Sequence, residues 1–305
     1  MAFDVVVVGK ANMDFLVRGP RLPGPGMSVN GDAFQEAPGG KGANQAVGAA
    51  RLGARVALVA HVGDDVRGAA VVAALRLEGV EVGHVSRDPS AATGVGLCQV
   101  ARSGEKQILS YPGANALLTA ARVRAAGEAI RSAKVVLCQL GVPIDAVMEA
   151  VRMAKSAGAQ VMLDPGPPAP LPNELIALLD VIRPNTSEAQ ILTGIQVRDR
   201  LSAREAARDL LRRGAKAAAV QAGELGDLLA WAEEESWLPR FEVARVDATG
   251  AGDAFASAFA VALAEGWPLA DAGPFASAAA ALATTKLGAQ ASLPTRAAVL
   301  QLLGS

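Results

Sequence analysis

The sequence predicts an α/β fold: a central, mostly parallel β-sheet flanked by helices, with a small β-sheet lid. Three observations predict it. Short apolar runs alternate with amphipathic segments along most of the chain, the rhythm of strand and crossover helix. Hydrophobic residues make up 51% of the 305, mostly Ala, Val and Leu, and aromatics only 4%, which suits strands covered on both faces. Two segments break the rhythm, and both read as short strands set beside the main sheet.

Each element has a local reason. Val5-Val6-Val7-Val8 reads as a buried strand ended by Gly9. Lys41 to Leu52 reads as a helix stopped by Gly53, Val56 to Val62 as a strand, and Arg67 to Glu78 as a helix stopped by Gly79. Val135 to Leu140 is a strand, Ile144 to Ala157 a helix, and Gln160 to Asp164 a strand closed by Pro165. Val181 to Arg183 is a short strand stopped by Pro184. Ser202 to Arg213 is a helix ended by Gly214, and Ala217 to Gln221 a strand. Residues 12–38 are rich in Gly and Pro, with extended pieces such as Phe15-Leu16-Val17. Gly94 to Val100 and Lys106 to Tyr111 flank an Arg102-Ser103-Gly104-Glu105 turn. These two segments, 12–38 and 93–111, form the expected lid; 1–11, 39–92 and 112–305 form the expected main body. A small sheet beside a cleft is suited to covering it.

Composition excludes several classes. Lys+Arg 29 against Asp+Glu 30 leaves a net charge of −1, which gives neither a basic nucleic-acid surface nor a polybasic membrane anchor. Cys98 and Cys138 both lie in apolar runs and read as buried free thiols. The opening Met1-Ala2-Phe3-Asp4 lacks the basic start of a signal peptide, and no apolar stretch is long enough to span a bilayer. A cytoplasmic globule is the expectation. His61 and His84 have no second ligand at metal spacing. Trp231 and Trp237 flank a charged hairpin turn at Glu233-Glu234-Glu235, and Trp267-Pro268 reads as a surface-loop anchor.

The strongest chemical signal is Asp247-Ala248-Thr249-Gly250-Ala251-Gly252-Asp253, a Gly-rich turn opening a helix to about Ala264. Phe255, Phe259 and Leu263 recur four apart and give that helix one bulky face. A helix N-terminus with glycines attracts phosphate, because free N–H groups and the macrodipole favour negative charge. Asp253 beside such a site suits acceptance of a hydroxyl proton during attack on phosphorus. It equally suits a plain dipole-complementing role, and the sequence leaves both open. Neither a Walker A loop nor a dinucleotide fingerprint occurs. Gly39-Gly40-Lys41-Gly42-Ala43-Asn44-Gln45-Ala46 also opens a helix, with Lys41 and Asn44 as donors for polyol hydroxyls. A Gly-rich loop with a solvated lysine is the plainer reading. Asn12 and Asp14 follow the first strand, where α/β sheets place ligands, though Asp14 also reads as a turn residue. In Pro184-Asn185-Thr186-Ser187-Glu188, Asn and Glu three apart suit metal-bound water or a helix cap.

Together these motifs resemble the ribokinase (PfkB-type) carbohydrate kinase family, from Val5 to about Pro294. The resemblance implies a ribokinase-like fold and an ATP-dependent transfer to a primary sugar hydroxyl, D-ribose being the first expectation. It makes Asp253 the base, and Gly250, Ala251 and Gly252 the anion hole. Asn12, Asp14, Gly40, Lys41, Gly42, Asn44 and Asp253 would hold the sugar. Asn185, Gln221, Ala222, Gly223, Glu224, Leu225, Gly226, Gly252, Asp253 and Ser277 would surround the nucleotide. Glu188 would organise Mg2+ through water. Asp247, Thr249, Ala283, Lys286, Gly288 and Ser292 match the positions that place a monovalent cation, K+, beside the anion hole. Thr285 to Pro294 resembles the family's C-terminal loop, and on its own also reads as a helix exit with a Gly cap.

Three positions depart from the pattern. Gly141 follows Gln139-Leu140 where ribokinases usually carry a sugar-contacting Glu. Asp164 replaces a common Asn and reads as turn-capping or as a partner of metal-bound water. Ser277 replaces a His near the adenine. A kinase for another sugar, a deoxysugar or a nucleoside is therefore the alternative, and a non-catalytic sugar- or nucleotide-binding protein the rival of another class. A homodimer through the lid is expected, since lid strands have edges to protect.

Overall fold

The computed structural model describes residues 2–304. Among these described residues, thirteen strands form two sheets. In chain order they are β1 (Val5–Val8), β2 (Asn12–Gly19), β3 (Ala33–Gly39), β4 (Val56–Gly63), β5 (Val85–Asp88), β6 (Gly94–Ala101) and β7 (Lys106–Tyr111). Then follow β8 (Val135–Gln139), β9 (Gln160–Asp164), β10 (Val181–Ile182), β11 (Ala217–Gln221), β12 (Asp227–Trp231) and β13 (Glu234–Trp237). The nine-stranded sheet runs β13-β12-β11-β10-β9-β8-β1-β4-β5. It is parallel except at its last two pairings, β11 with β12 and β12 with β13.

Its central strands are apolar throughout because helices cover both faces. Val5 to Val8 are all 0% exposed. Even-numbered Val6 and Val8 join one apolar core and odd-numbered Val5 and Val7 the other, as the strand alternation requires. The helix Ala251–Ala264 runs through the core that holds Val5 and Val7. Every residue from Asp253 to Ala264 is buried, so the bulky face of Phe255, Phe259 and Leu263 is only one of several packed sides. Alanines between Phe255 and Phe259 let helices Lys41–Arg51 and Leu269–Ala283 approach closely on other sides.

The second sheet, β3-β2-β6-β7, forms from the two segments that broke the rhythm. β3 extends one residue past the expected boundary, to Gly39. Cys98, expected to be buried, lies half-buried in β6, where the two-sided burial of a central strand is missing. Cys138 lies within β8, and burial pushes its thiol up to about 12. Trp267 is more than a surface anchor: its ring lies 5.2 Å from that of Phe275 and packs against the core. Among the described residues, no helix is long and apolar enough to cross a membrane.

Candidate active site

The C-terminal ends of the parallel strands converge on one region, as open α/β sheets dictate. Gly9 to Asn12 leave β1, Gln139 ends β8, Asp164 ends β9, Arg183 follows β10 and Gln221 ends β11. The register pairs Gln139 with Asp164 across β8 and β9.

Gly250 is the N-cap of the helix Ala251–Ala264, with φ 88°. That left-handed conformation suits glycine, and a Cβ there would meet the Ala289 backbone at 3.0 Å. The turn brings the first N–H groups of the helix to the surface of the site, where they lack intrahelical partners. Asp253 does not cap this helix; its carboxylate reaches the helix Lys41–Arg51. Asn44 Nδ2 donates to Asp253 Oδ2 at 2.8 Å, and Gln45 Nε2 to Oδ1 at 3.0 Å. Burial pushes the Asp253 carboxyl above its ordinary range. Lys41 opposes this shift, Asp164 adds to it, and the two amide donors oppose it.

Asp164 is corrected from turn cap to a buried hub. Its Oδ2 accepts from Lys41 Nζ and Gln45 Nε2, both at 2.7 Å, and the side chain is 0% exposed. Gln139 Nε2 donates to Gln45 Oε1 at 2.5 Å and fixes that amide's orientation. Lys41 is thus no solvated lysine. Its ammonium keeps a raised pKa although burial opposes the charge, because Asp164, Asp253 and Glu188 outweigh it.

Asp14 is not a turn residue but lies inside β2. Glycines at 39 and 96 make room for its carboxylate; a Cβ at either would collide with it. Burial raises its pKa, against attraction from Lys10 and hydrogen bonds from Asn12 and the Gly40 N–H. Asn12 is held by Asn115, whose Nδ2 donates to Asn12 Oδ1 at 2.9 Å. Gly40 has φ 89°, and a Cβ there would meet Asn12 N at 2.9 Å. Gly42 packs on Gly9, where a Cβ would meet the carbonyl carbon at 2.7 Å. Asn12, Asp14, Lys41, Asn44 and Asp253 therefore share one neighbourhood under the small sheet.

A cleft of about 350 Å3 lies beside the Gly250 turn. It is lined by Gln221, Gly223, Glu224, Gly226, Ala251 and Ser277, together with Arg183, Phe241 and Ala280. Asn185, Ala222, Leu225, Gly252 and Asp253, also expected around the nucleotide, are outside its lining. Ala222 is buried beneath the turn, and Asn185 caps the helix Thr186–Thr193. Asn185 and Glu188 form a reciprocal capping box, so the plainer reading of that spacing holds geometrically. Glu188 still faces the site: a Cβ at Gly166 would meet its Oε1 and Lys41 Cε, both at 2.7 Å. Burial and the Asp164 charge raise its pKa.

Asp247 links the two loops beside Gly250. Its Oδ1 accepts from Thr249 N and Oγ1, and its Oδ2 from Gly288 N at 3.0 Å. Burial alone would raise its carboxyl, but those donors hold it below the ordinary range. Ser292 Oγ lies within 3.3 Å of the Gly250 Cβ position and donates to Ala289 O. Ala283 ends the helix Leu269–Ala283, buried, and Lys286 is exposed in the connection that follows. The small sheet touches this corner, since Lys106 Nζ on β7 donates to Thr249 Oγ1 at 3.1 Å.

Sequence reasoning assigned no role to Gln45, Gln139, Lys10 or Arg183. Position at a strand's C-terminal end was the available signal for Gln139 and Arg183. Arg183 lies 3.6 Å from Asp227 and sits over the Phe255 ring at 4.8 Å, so it underpins the cleft floor.

The comparisons agree with this geometry. The pfkB family carbohydrate kinase domain matches residues 2–296. The ribokinase of Haemophilus influenzae is 38% identical over 303 residues, covering 99% of each chain. That of Bacillus subtilis is 37% identical over 301 residues, covering 98% of this chain and 99% of its own. The structure of Arabidopsis thaliana ribokinase complexed with ribose and ATP superposes with a TM-score of 0.92 at 34% identity, covering all of both chains. The chain belongs to the pfkB family of carbohydrate kinases and has the ribokinase-like fold.

Proposed function

We propose that this chain, an ATP-dependent sugar kinase, transfers the γ-phosphoryl group of ATP to the primary hydroxyl of D-ribose, giving ribose 5-phosphate and ADP. The observation that carries the reading is Asp253. It is a buried carboxylate on the first turn of an anion-binding helix, next to the polyol donors Asn12, Lys41 and Asn44. A non-catalytic binder has no use for a base at that point. The relatives named above are ribokinases, and the Arabidopsis enzyme was solved with ribose and ATP.

Chemically, Asp253 takes the proton of the attacking hydroxyl as the oxygen–phosphorus bond forms. Its raised pKa makes it a stronger base than an exposed aspartate. The N–H groups of Gly250, Ala251 and Gly252 meet the charge on the transferred group. Asn12, Asp14, Gly40, Lys41, Gly42 and Asn44 orient the sugar. The cleft at Gln221, Gly223, Glu224, Gly226 and Ser277 takes the nucleotide, with Asn185, Ala222 and Leu225 shaping its surroundings.

The donor set fits Mg2+ carried with ATP. Asp164 Oδ1 is buried without a hydrogen-bond partner, and Glu188 stands beside it. Two carboxylates reaching a metal through water match the habit of Mg2+ at phosphates. The metal would offset charge on the phosphates. The ionised Asp247 and the loop carbonyls at Ala283, Lys286 and Gly288, with Thr249 and Ser292, are oxygen donors suited to K+. That ion would hold the anion-hole loop in shape.

The small sheet acts as the lid, with residues 12–38 and 93–111 moving over a body made of the rest. Its edge strand β7 is exposed throughout, including Ile108 (58%), Leu109 (71%) and Tyr111 (56%). Covering that edge with a second copy makes a homodimer. We place the protein in the cytoplasm, where ATP is available.

The test is ADP release with MgATP and K+ across ribose, 2-deoxyribose, fructose, pentonates and nucleosides. Preferred turnover of ribose to ribose 5-phosphate supports the reading. Preference for a nucleoside or fructose overturns the ribose assignment.

A further inference from the structure

Lys10 lies two residues past the end of β1, at the wall of the proposed sugar site. Its aliphatic stem covers Gly141. A Cβ at 141 would meet Lys10 Cδ at 2.6 Å, Cγ at 2.8 Å and Cβ at 3.2 Å, so this position and the Lys10 stem compete for one space. The two residues also line a cavity of about 370 Å3 together with Asn12, Tyr111 and Pro167. The other cations of the site are engaged. Lys41 holds Asp164 at 2.7 Å, and Arg183 holds Asp227 at 3.6 Å. The Lys10 carbonyl accepts from Ala43 N at 3.1 Å, but its ammonium has no hydrogen-bond or ion-pair partner among the described residues.

We propose that Lys10 is a specificity-determining residue whose ammonium donates to an oxygen of the acceptor, and that it admits sugar acids with a carboxylate at that end. The proposal rests on the sugar-kinase reading above and refines its acceptor. A side chain at 141 would have displaced the lysine stem; glycine leaves it in place. The wall therefore presents a donor and a positive charge. Burial and Lys41 press the Lys10 ammonium toward neutrality, while Asp14 and, more weakly, Asp253 hold its charge. A carboxylate arriving beside it would add to that support. A pentonate carries its carboxylate and its primary hydroxyl at opposite ends. It can therefore place the one on Lys10 and the other at Asp253.

The test measures ribose turnover and the Ki or KM of D-ribonate for wild type and Lys10→Met, which keeps the stem and removes the charge. The expected result is ribonate binding by wild type, as substrate or competitive inhibitor. In Lys10→Met, ribonate binding should weaken at least tenfold more than ribose binding, with the KM for ATP unchanged. Absence of ribonate binding to wild type overturns the proposal, as does an unchanged ratio in the variant. Gly141→Ala gives a second arm. It should push the lysine stem aside and weaken ribonate in the wild-type background, but have little effect when Lys10 is Ala. Equal effects in both backgrounds overturn the competition for space. Loss of ribose turnover by wild type would instead sink the ribose assignment, a separate outcome.

Discussion

Gln45 Nε2 lies 3.0 Å from Asp253 Oδ1, and the same nitrogen lies 2.7 Å from Asp164 Oδ2. One amide therefore ties the proposed base to the buried acid at the end of β9. Gln139 locks its other end. The proposed catalytic carboxylate is thus held by side chains from a helix that is distant in sequence, with no freedom to swing.

Asp253→Asn should lower kcat by about 10²–10⁴-fold, the usual worth of a positioned general base. ATP affinity, measured by calorimetry, should change little, because the N–H groups of the turn remain. Turnover near wild type in that variant would remove Asp253 from the base role.

The acid side of the kcat/KM profile should reflect the raised Asp253 pKa. A base must be deprotonated, so activity is lost as pH falls through that raised value rather than in the ordinary aspartate range. Asp164→Asn removes a like charge that contributes to the rise, and should move this limb to lower pH. A limb that moves upward, or stays put, contradicts the assignment.

Gly96→Ala should act on the acceptor alone. The added Cβ collides with Asp14 Oδ1, so the carboxylate must turn away from the sugar. A rise of about tenfold in acceptor KM, equivalent to roughly 1.4 kcal/mol, is the expected result. The KM for ATP should hold.

Leu109→Glu places a charge on the exposed edge strand of the small sheet. If two lids pair there, light scattering should report a dimer for wild type and a monomer for the variant. A wild-type monomer at micromolar concentration contradicts the dimer.

Phe259 is 0% exposed and stacks on Phe255 at 5.8 Å between centroids. Phe259→Ala should cost about 3–5 kcal/mol in denaturant unfolding, from lost burial and the cavity left behind.

Much of the architecture was legible because its signals are local. Val5-Val6-Val7-Val8, and the glycines at 53, 79 and 214, mark strand and helix limits through backbone sterics alone. The outer strand β5 gave no such signal: Val85-Ser86-Arg87-Asp88 is short, polar and placed by its pairing with β4. Strand β3 runs to Gly39, one residue past the Gly- and Pro-rich segment, because pairing with Asn12 rather than composition ends it. Asp164 reads from sequence as turn-capping or as a partner of metal-bound water, and neither reading shows its partners Lys41 and Gln45, which lie more than a hundred positions away.

The sequence by itself determined the sheet-and-helix alternation, the two Gly-rich helix starts and the acid on the second of them. Each depends on interactions within a few residues. Only the tertiary structure decided that Lys41, Gln45, Asp164 and Asp253 form one hydrogen-bonded network, and that Lys10 lies across Gly141. Charge and exclusion act through space, and the parallel crossovers bring these groups together from opposite ends of the chain.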